Sequence, residues 1–258
     1  MNPELSIVIP AFEEAERIGD SLGKVFSFLQ AHQPTAEVII VDDGSRDKTS
    51  EVARSFCDHH SEIASQVIRY EENRGKGYAV KIGLQAAKAE IALFSDADLS
   101  TPIEEMTKLV DPIRSGEFDV TFGSRAIDRS LIGTHQPWRR EQGGKVMNLI
   151  IRTMSGLQFA DTQCGFKAFN MKTFRPLLDV MTIDRFGFDV EFLFVANYNG
   201  LKLAEIPVRW NNVEGSKVSV FRDTRRMLTE LSQIRRNATR GAYKIASEHT
   251  ETSEKGSA

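Results

Sequence analysis

Two aspartates, Asp96 and Asp98, stand two positions apart where the apolar segment LFSDADLSTP turns polar. On an extended backbone, side chains at positions i and i+2 point to the same side, so the two like charges repel unless a cation joins them. Oxygen ligands suit Mg²⁺ or Mn²⁺, which complete their coordination with water and substrate phosphates. The pair therefore predicts a metal site that neutralises a departing diphosphate as a Lewis acid.

A structural role is the alternative: Asp96 could cap or turn the chain, and Asp98 could be the N-cap of the helix beginning near Pro102. A second acidic pair, Asp42 and Asp43, ends the apolar run VIIVDD and favours the ligand interpretation. Carboxylates at that position can accept hydrogen bonds from a nucleoside base or ribose. The sequence Asp-Gly-Ser also suits a turn, so Asp42 can serve the turn and Asp43 the ligand.

The segment NRGKGYAV, residues 73–80, places glycines and Lys76 at a predicted junction between a strand and a helix. Backbone N–H groups and a cation at such a junction favour an anion. The glycines match only half of G-x-G-x-x-G, because Val80 stands where the third glycine belongs, so dinucleotide binding is a weak prediction. The chain also lacks the G-x-x-x-x-G-K-[ST] loop of P-loop nucleotidases.

Alternating strands and helices position these groups. Apolar runs in the first half predict strands over 5–12, 37–43, 66–70, 90–98 and 118–124, with amphipathic helices between them. Repeated βα units imply an α/β fold with a parallel, doubly wound sheet, in which ligands bind beyond the carboxyl ends of the strands. All five predicted strands end in polar groups, and this concurrence indicates a ligand site more strongly than any single motif.

The second half of the chain has a different pattern. It predicts a loop, a helix, a turn region, a second helix, a strand and a basic helix over 124–139, 140–157, 158–170, 188–199, 203–210 and 222–243. The polar tail 247–258 is predicted to be disordered. We find neither an internal repeat nor a linker that would divide the chain.

Composition narrows the class of protein. A chain of 258 residues that is 41% hydrophobic can bury a large core, and its net charge of -3 gives no reason to expect nucleic acid. Two cysteines, far apart, suit a reducing compartment better than a disulfide framework. The sequence shows neither a secretory signal nor the roughly 20 apolar residues that span a bilayer, so we expect a cytoplasmic protein.

An ordered set of motifs resembles glycosyltransferase family 2, inverting enzymes of the GT-A fold. The motifs are IVIPAFEEAERI, VIIVDDGSRDKT, NRGKGYAVKIG, SDADLSTP and FGSR. Three later segments resemble the dolichyl-phosphate β-glucosyltransferase branch, to which dolichyl-phosphate mannose synthases are close: DTQCGFKAF, FGFDVEFLF and EIPVRWNNVEGSKVS. The resemblance implies a Rossmann-like, mostly parallel sheet with an acceptor-side C-terminal extension. It implies one domain over 1–246, in which 1–124 binds the nucleotide sugar and 125–246 the acceptor.

The same resemblance implies roles for individual residues. The nucleotide sugar would lie against Pro10, Ala11, Phe12, Glu14, Asp43, Lys76, Asp96, Asp189 and Glu191. The metal, Mg²⁺ or Mn²⁺, would be bound by Asp96 and Asp98. The acceptor phosphate would be bound by Ser124, Arg125, Arg139, Arg140 and Lys217. The catalytic positions would be Asp98, Arg125 and Asp161, the last matching a proposed base.

The implied reaction moves a hexose from a nucleotide diphosphate sugar, UDP-glucose or next GDP-mannose, to a polyprenyl or dolichyl phosphate. A saccharide acceptor and a non-catalytic nucleotide-binding module are the alternatives. A phosphate monoester has a second pKa near 6 and is largely a dianion at neutral pH, so it can attack without losing a proton. We therefore expect Asp161 to orient the acceptor or the sugar more than to act as a base. Arginines such as Arg125 would bring the two anions together through bidentate hydrogen bonds.

A polyprenyl-phosphate acceptor lies in a bilayer, so the resemblance also implies a peripheral protein at the cytoplasmic face of a membrane. We expect one apolar face on the helix 140–157, made by Val146, Met147, Leu149, Ile150 and Met154. The basic helix, which carries seven cationic and two acidic side chains over 222–244, could bind anionic lipid. The alternatives are packing of these helices in the core, an ordinary solvent-exposed position, and docking through a membrane-subunit partner.

Overall fold

A seven-stranded sheet organises the part of the chain that the structure, a computed structural model, describes: residues 2–134, 138–213 and 220–245. The predicted tail 247–258 lies outside these residues. In chain order, the strands are β1 (Ser6–Ala11), β2 (Glu37–Asp42), β3 (Ala64–Arg69), β4 (Ile91–Ser95), β5 (Val120–Ser124), β6 (Ile132–Thr134), β7 (Phe166–Asn170), β8 (Leu203–Pro207) and β9 (Trp210–Asn211). The five strands predicted in the first half are confirmed as β1 to β5.

The strand order is β3-β2-β1-β4-β7-β5-β8. Strand β7 runs antiparallel to both of its neighbours, β4 and β5, and every other neighbouring pair in this sheet is parallel. Strands β6 and β9 form a separate short parallel ladder. The predicted α/β fold with a mostly parallel sheet is therefore confirmed. The carboxyl ends of β1, β2, β4 and β5 meet at one edge.

Helices cover both faces of the sheet. They are α1 (Ile18–His32), α2 (Thr49–His59), α3 (Lys76–Ala86), α4 (Met106–Arg114), α5 (Trp138–Ser155), α6 (Met171–Leu178), α7 (Phe188–Tyr198) and α8 (Val220–Thr239). Alternate strand residues face opposite ways, so Val8 and Ile39 pack with α3 and α5 to α8, whereas Ile7 and Val38 pack with α1, α2 and α4. Burial on both faces explains the nearly continuous apolar runs of β1, β2 and β4.

The turn region predicted over 158–170 is wrong from residue 166 onward, because β7 and then α6 form there. Lys167 interrupts the apolar pattern of β7 and is fully buried, with its Nζ 2.6 Å from Oδ1 of Asp189. A buried ammonium is tolerated when such a carboxylate compensates its charge. The partner lies 22 residues along the chain, so the sequence around Lys167 does not reveal the strand.

The apolar residues of α5 divide between two faces, so the single apolar face expected on this helix is wrong. Met147, Ile150 and Met154 pack against the core, together with the fully buried Ile151. In contrast, 71% of Trp138, 59% of Val146 and 64% of Leu149 are exposed. Helix α5 thus buries one apolar stripe and presents a second one to solvent.

The basic helix α8 is anchored on the core by one face. Met227, Leu231 and Ile234 are buried there, while Arg225 and Arg235 are exposed on other sides of the helix. Within the described residues, we find no helix that is long and apolar enough to cross a membrane.

Candidate active site

A pocket of about 350 Å³ lies at the edge where the strand ends meet. Its walls come from the ends of β1 and β4, the turn after β2, the start of α3 and the connection before α7. Eight residues predicted to bind the nucleotide sugar or the metal line this pocket together: Pro10, Ala11, Phe12, Glu14, Asp43, Lys76, Asp96 and Asp98. The structure therefore brings together side chains that lie up to 88 positions apart in the sequence, as ligand binding at a sheet edge requires.

Asp96 leaves the end of β4 and forms an ion pair with Lys76, whose Nζ lies 2.5 Å from Oδ1. Burial raises the pKa of Asp96, Lys76 opposes this, and the negative charge of Asp98 adds to the rise. Further positive charge would thus help to keep Asp96 ionised. Asp98 is half-buried, and its Oδ1 accepts the N–H of Ser100 at 2.9 Å. Asp98 thus shapes a local turn and also lines the pocket, and its alternative role as a helix N-cap is wrong, because Pro102 occupies that position without a side-chain cap.

The two carboxylates suit a hard divalent cation that takes its remaining ligands from a substrate. Among the described residues, no three acidic, histidine or cysteine side chains are close enough to enclose a metal ion. Mg²⁺ commonly binds through one or two carboxylates plus water and substrate phosphates. Asp96 and Asp98 could hold such an ion, with a diphosphate in the pocket supplying the other oxygens.

Asp43 is almost fully buried and shapes the wall of the pocket. Its carboxylate accepts the Tyr70 hydroxyl at 2.8 Å, the Asn73 amide at 2.8 Å and the backbone N–H groups of Arg74 and Gly75. Burial raises the pKa of Asp43, and these hydrogen bonds oppose the rise. Gly75 has φ +115°, and a Cβ there would lie 2.5 Å from the Asp184 carbonyl oxygen. The loop before α3 is therefore fixed, and contact between Asp43 and a nucleotide stays a prediction.

Three further residues that were not predicted also line the pocket: Arg17, Arg185 and Phe186. Arg185 and Phe186 lie in the connection between α6 and α7, where the Asp184 carbonyl accepts the N–H of Tyr78 at 3.0 Å. They follow no strand, so the rule that polar groups end strands could not identify them. The signal in the sequence is the FGFDVEFLF segment, which begins at Phe186 and which Arg185 directly precedes.

Arg125, just after β5, forms a bidentate pair with Asp161. Its Nε and one terminal nitrogen donate to the two carboxylate oxygens at 2.6 and 2.8 Å, and its backbone N–H donates at 3.1 Å. Burial would raise the pKa of Asp161, but the Arg125 charge outweighs it and the pKa is lowered. Burial would likewise lower the pKa of Arg125, but Asp161 raises it. Both groups therefore stay charged, and the guanidinium keeps further N–H donors beyond those that Asp161 uses.

Asp189 acts electrostatically on both charged pairs. It is buried and bound to Lys167. Burial lowers the pKa values of Lys76 and Arg125, but the nearer acids outweigh it, and Asp189 acts in the same raising direction on both. The negative charge of Asp189 thus acts on Lys76 in the donor pocket and on Arg125, so the two cations share an electrostatic environment.

Other predicted site residues are occupied elsewhere. Glu191 is fully buried and accepts the N–H groups of Thr182 and Ile183 and the hydroxyl of Tyr243. Ser124 is fully buried, and its Oγ accepts the N–H of Ala126 at 3.2 Å. Their roles toward sugar and acceptor phosphate remain predictions.

Three predicted cations cannot be placed at the site. The side chains of Arg139 and Arg140, at the start of α5, and the whole of Lys217 lie outside the described residues. Arg125 is thus the one predicted phosphate-binding cation on the acceptor side whose side chain the described part of the chain includes.

Comparisons with known proteins agree on one family. The sequence model of glycosyl transferase family 2 matches residues 6–178. Dolichyl-phosphate beta-glucosyltransferases of Dictyostelium discoideum, Drosophila melanogaster and Homo sapiens are 30%, 34% and 32% identical to this chain. The matches cover 95%, 95% and 94% of this chain and 78% of each relative.

Two solved structures share the fold. Glucosyl-3-phosphoglycerate synthase from Mycobacterium tuberculosis, in complex with Mn²⁺, UDP-glucose and phosphoglyceric acid, superposes with a TM-score of 0.66 at 19% identity, covering 90% of this chain and 79% of that one. A mannosyltransferase from Pyrobaculum calidifontis, in complex with GDP-Man and Mn²⁺, gives a TM-score of 0.60 at 19% identity, covering 93% and 65%.

Proposed function

The chain belongs to glycosyl transferase family 2, and we propose that it transfers glucose, with inversion at the anomeric carbon, from UDP-glucose to a polyprenyl phosphate such as dolichyl phosphate. The names of its relatives, at 30 to 34% identity, support glucose as the sugar and dolichyl phosphate as the acceptor. GDP-mannose is the second candidate donor, since one structure of the same fold contains GDP-Man.

The observation that carries this proposal is the placement of two charged groups at one sheet edge. Asp96 follows β4 and Arg125 follows β5, and only β7 separates these two strands. Strands lie about 4.8 Å apart, so the two strand ends are roughly 10 Å from each other. A diphosphate beside the aspartates and an acceptor phosphate on Arg125 would then flank one sugar ring.

The residues of the donor pocket would bind and orient the nucleotide sugar. Phe12 and Ala11 form an apolar wall for the base, and Lys76 adds positive charge beside the diphosphate. Asp96 and Asp98 would hold Mg²⁺ or Mn²⁺, which when bound neutralises the charge that develops on the departing diphosphate. Manganese in two enzymes of the same fold supports this metal requirement.

On the acceptor side, Arg125 would receive the phosphate through the N–H groups that point away from Asp161. A phosphate oxygen then attacks the anomeric carbon from the face opposite the nucleotide. The bond from phosphate oxygen to carbon forms as the bond from carbon to the diphosphate breaks, and the diphosphate leaves with the electron pair. The acceptor is already a dianion at neutral pH, so no proton has to be removed.

The test is a donor and acceptor screen. We would incubate the protein with UDP-glucose or GDP-mannose and a short polyprenyl phosphate, with Mn²⁺, Mg²⁺ or a chelator, and identify products by mass. We expect a glucosyl polyprenyl phosphate from UDP-glucose, formed only with metal. Asp98→Asn should lower its yield at least a hundredfold, whereas the matched control Asp58→Asn, at an exposed site on α2, should form it like the wild type.

Two outcomes would contradict the proposal. Hydrolysis of UDP-glucose without transfer to the lipid would favour the alternative saccharide acceptor, for which a panel of sugars is the follow-up. Binding of nucleotide without any turnover would indicate a non-catalytic module.

We also propose that the protein acts at a membrane surface, because the proposed acceptor is a lipid. The exposed stripe of α5, Trp138, Val146 and Leu149, carries the exposed cations Lys145 and Arg152 beside it. Apolar residues flanked by cations are typical of helices that lie in a bilayer surface. A membrane-subunit partner that covers the same stripe is the alternative.

A further inference from the structure

Glu205, on β8, binds the backbone of the loop that leads into β7. Its Oε2 accepts the N–H of Ala160 and its Oε1 accepts the N–H of Asp161, both at 2.7 Å. Each carboxylate oxygen therefore holds one of two successive peptide groups. Hydrogen bonds to an ionised acceptor are short and about twice as strong as those between neutral groups.

The peptide group that Glu205 fixes belongs to the residue that orients Arg125. The Asp161 carboxylate receives three N–H groups of Arg125 and the N–H of Gln163 at 3.1 Å. The direction in which the remaining guanidinium N–H groups point thus depends on the position of the Asp161 backbone, from which the carboxylate extends. The hydrogen bonds to Glu205 fix this stretch of backbone.

We propose that Glu205 is a positioning residue for the acceptor side: by holding the Ala160 and Asp161 peptides, it sets the Asp161 carboxylate that aims Arg125 at the acceptor phosphate. This inference rests on the proposed function, since it assumes that Arg125 binds an acceptor phosphate. Glu205 itself is absent from the residues that line the donor pocket.

The position of Asp96 on the donor side depends on other contacts than those of Glu205, so the effects of a substitution on donor and acceptor can be distinguished. At the far end of the same loop, the Lys167 ammonium donates to the Cys164 carbonyl at 2.5 Å and to Asp189. Next to Cys164, the Gly165 carbonyl accepts the N–H of Asp96 at 3.1 Å. Loss of the Glu205 contacts should therefore disturb Arg125 and leave Asp96 in place.

Glu205→Gln tests the inference, because the amide keeps the size of the side chain but can accept through only one oxygen. We expect the KM for polyprenyl phosphate to rise about tenfold, as for the loss of one charge-assisted hydrogen bond. The KM for UDP-glucose and the Kd for UDP with Mn²⁺ should stay near wild-type values, even if the melting temperature falls by a few degrees because a hydrogen bond of the folded protein is lost. Glu117→Gln, at an exposed acid in the turn before β5, is the matched control.

A double-mutant cycle then asks whether Glu205 acts through Asp161. In an Asp161→Asn background, Glu205→Gln should add less than a twofold further rise in the acceptor KM. Independent, multiplying effects, or equal rises in both KM values, would overturn the inference and leave the proposed function standing. Absence of lipid-linked product from the wild-type protein would instead overturn both.

Discussion

At the residue scale, the charge state of Asp161 decides how the acceptor is activated. Burial favours the neutral acid, but the paired Arg125 lowers the pKa of Asp161 below its ordinary value of 3.8. A carboxylate with so low a pKa is a weak base near neutral pH. This supports the proposal that Asp161 orients Arg125 and that the acceptor phosphate attacks as a dianion without a base.

Asp161→Asn should accordingly lose less activity than Asp98→Asn. We expect a decrease of about tenfold in kcat/KM for the former, as the guanidinium loses its bidentate partner. For Asp98→Asn we expect 10²- to 10³-fold, the usual range for a group that stabilises transition-state charge. Steady-state kinetics on UDP-glucose and polyprenyl phosphate measure both, and a larger loss in Asp161→Asn than in Asp98→Asn would contradict the orienting role.

The dependence of kcat/KM on pH, compared between the wild type and Asp161→Asn, provides an independent control. Below about pH 6 the acceptor becomes a monoanion, so log kcat/KM should fall with a slope near one in both the wild type and Asp161→Asn. Asp161 stays ionised across this range because its pKa is lowered, and it adds no further break. A break present in the wild type and absent from Asp161→Asn would contradict the assignment.

At the element scale, what could be predicted from the sequence follows from how local each signal is. Strands β1 to β5 and the polar groups at their ends were predictable because the apolar run and its polar end are adjacent in the chain. Strand β7 was not predictable, because Lys167 interrupts its apolar pattern. The carboxylate that compensates this charge, Asp189 on α7, lies 22 residues further along the chain. Arg185 and Phe186 were missed for the same reason: folding, and no local pattern, brings them to the pocket.

The loop before β7 contacts β4 so closely that a single methyl group should disturb the donor site. A Cβ at Gly165 would lie 2.1 Å from Oδ2 of Asp96. Gly165→Ala should therefore displace the Asp96 carboxylate and weaken Mn²⁺-dependent UDP binding at least tenfold, measured by calorimetry. Gly143→Ala, where the added methyl meets no atom within 4 Å, should bind UDP like the wild type. Unchanged binding in Gly165→Ala would show that Asp96 does not need its present position.

At the scale of the whole molecule, α5 carries the surface that we propose to contact lipid. One stripe of this helix packs against the core, and the other, with Trp138, Val146 and Leu149, is exposed. The sequence predicted an apolar helix here, but the division into two stripes depends on which side α8 and the core cover. Tertiary packing therefore determines which stripe of α5 is buried.

Leu149→Gln should reduce binding to vesicles that contain phosphatidylglycerol by about tenfold, since burying one leucine contributes roughly 1.5 to 3 kcal/mol. Lys145→Gln should weaken binding less, and mainly at low salt, because a cation near an anionic surface contributes about 1 kcal/mol. Co-sedimentation measures both. Lys172→Gln, at an exposed lysine on α6, is the charge control and should bind normally. Equal binding by all variants would exclude the exposed stripe of α5 as the lipid contact.

The insertion of β7 between β4 and β5 has a consequence for biosynthesis. Strand β4 ends at residue 95 and its neighbour β7 begins at residue 166, so about 70 residues must be translated before that edge can pair. At about 5 to 20 residues per second, this takes several seconds. During that interval the nascent chain exposes an open, apolar strand edge, which is a template for aggregation. Emergence of residues 166–170 from the ribosome is thus the event that allows the sheet to close.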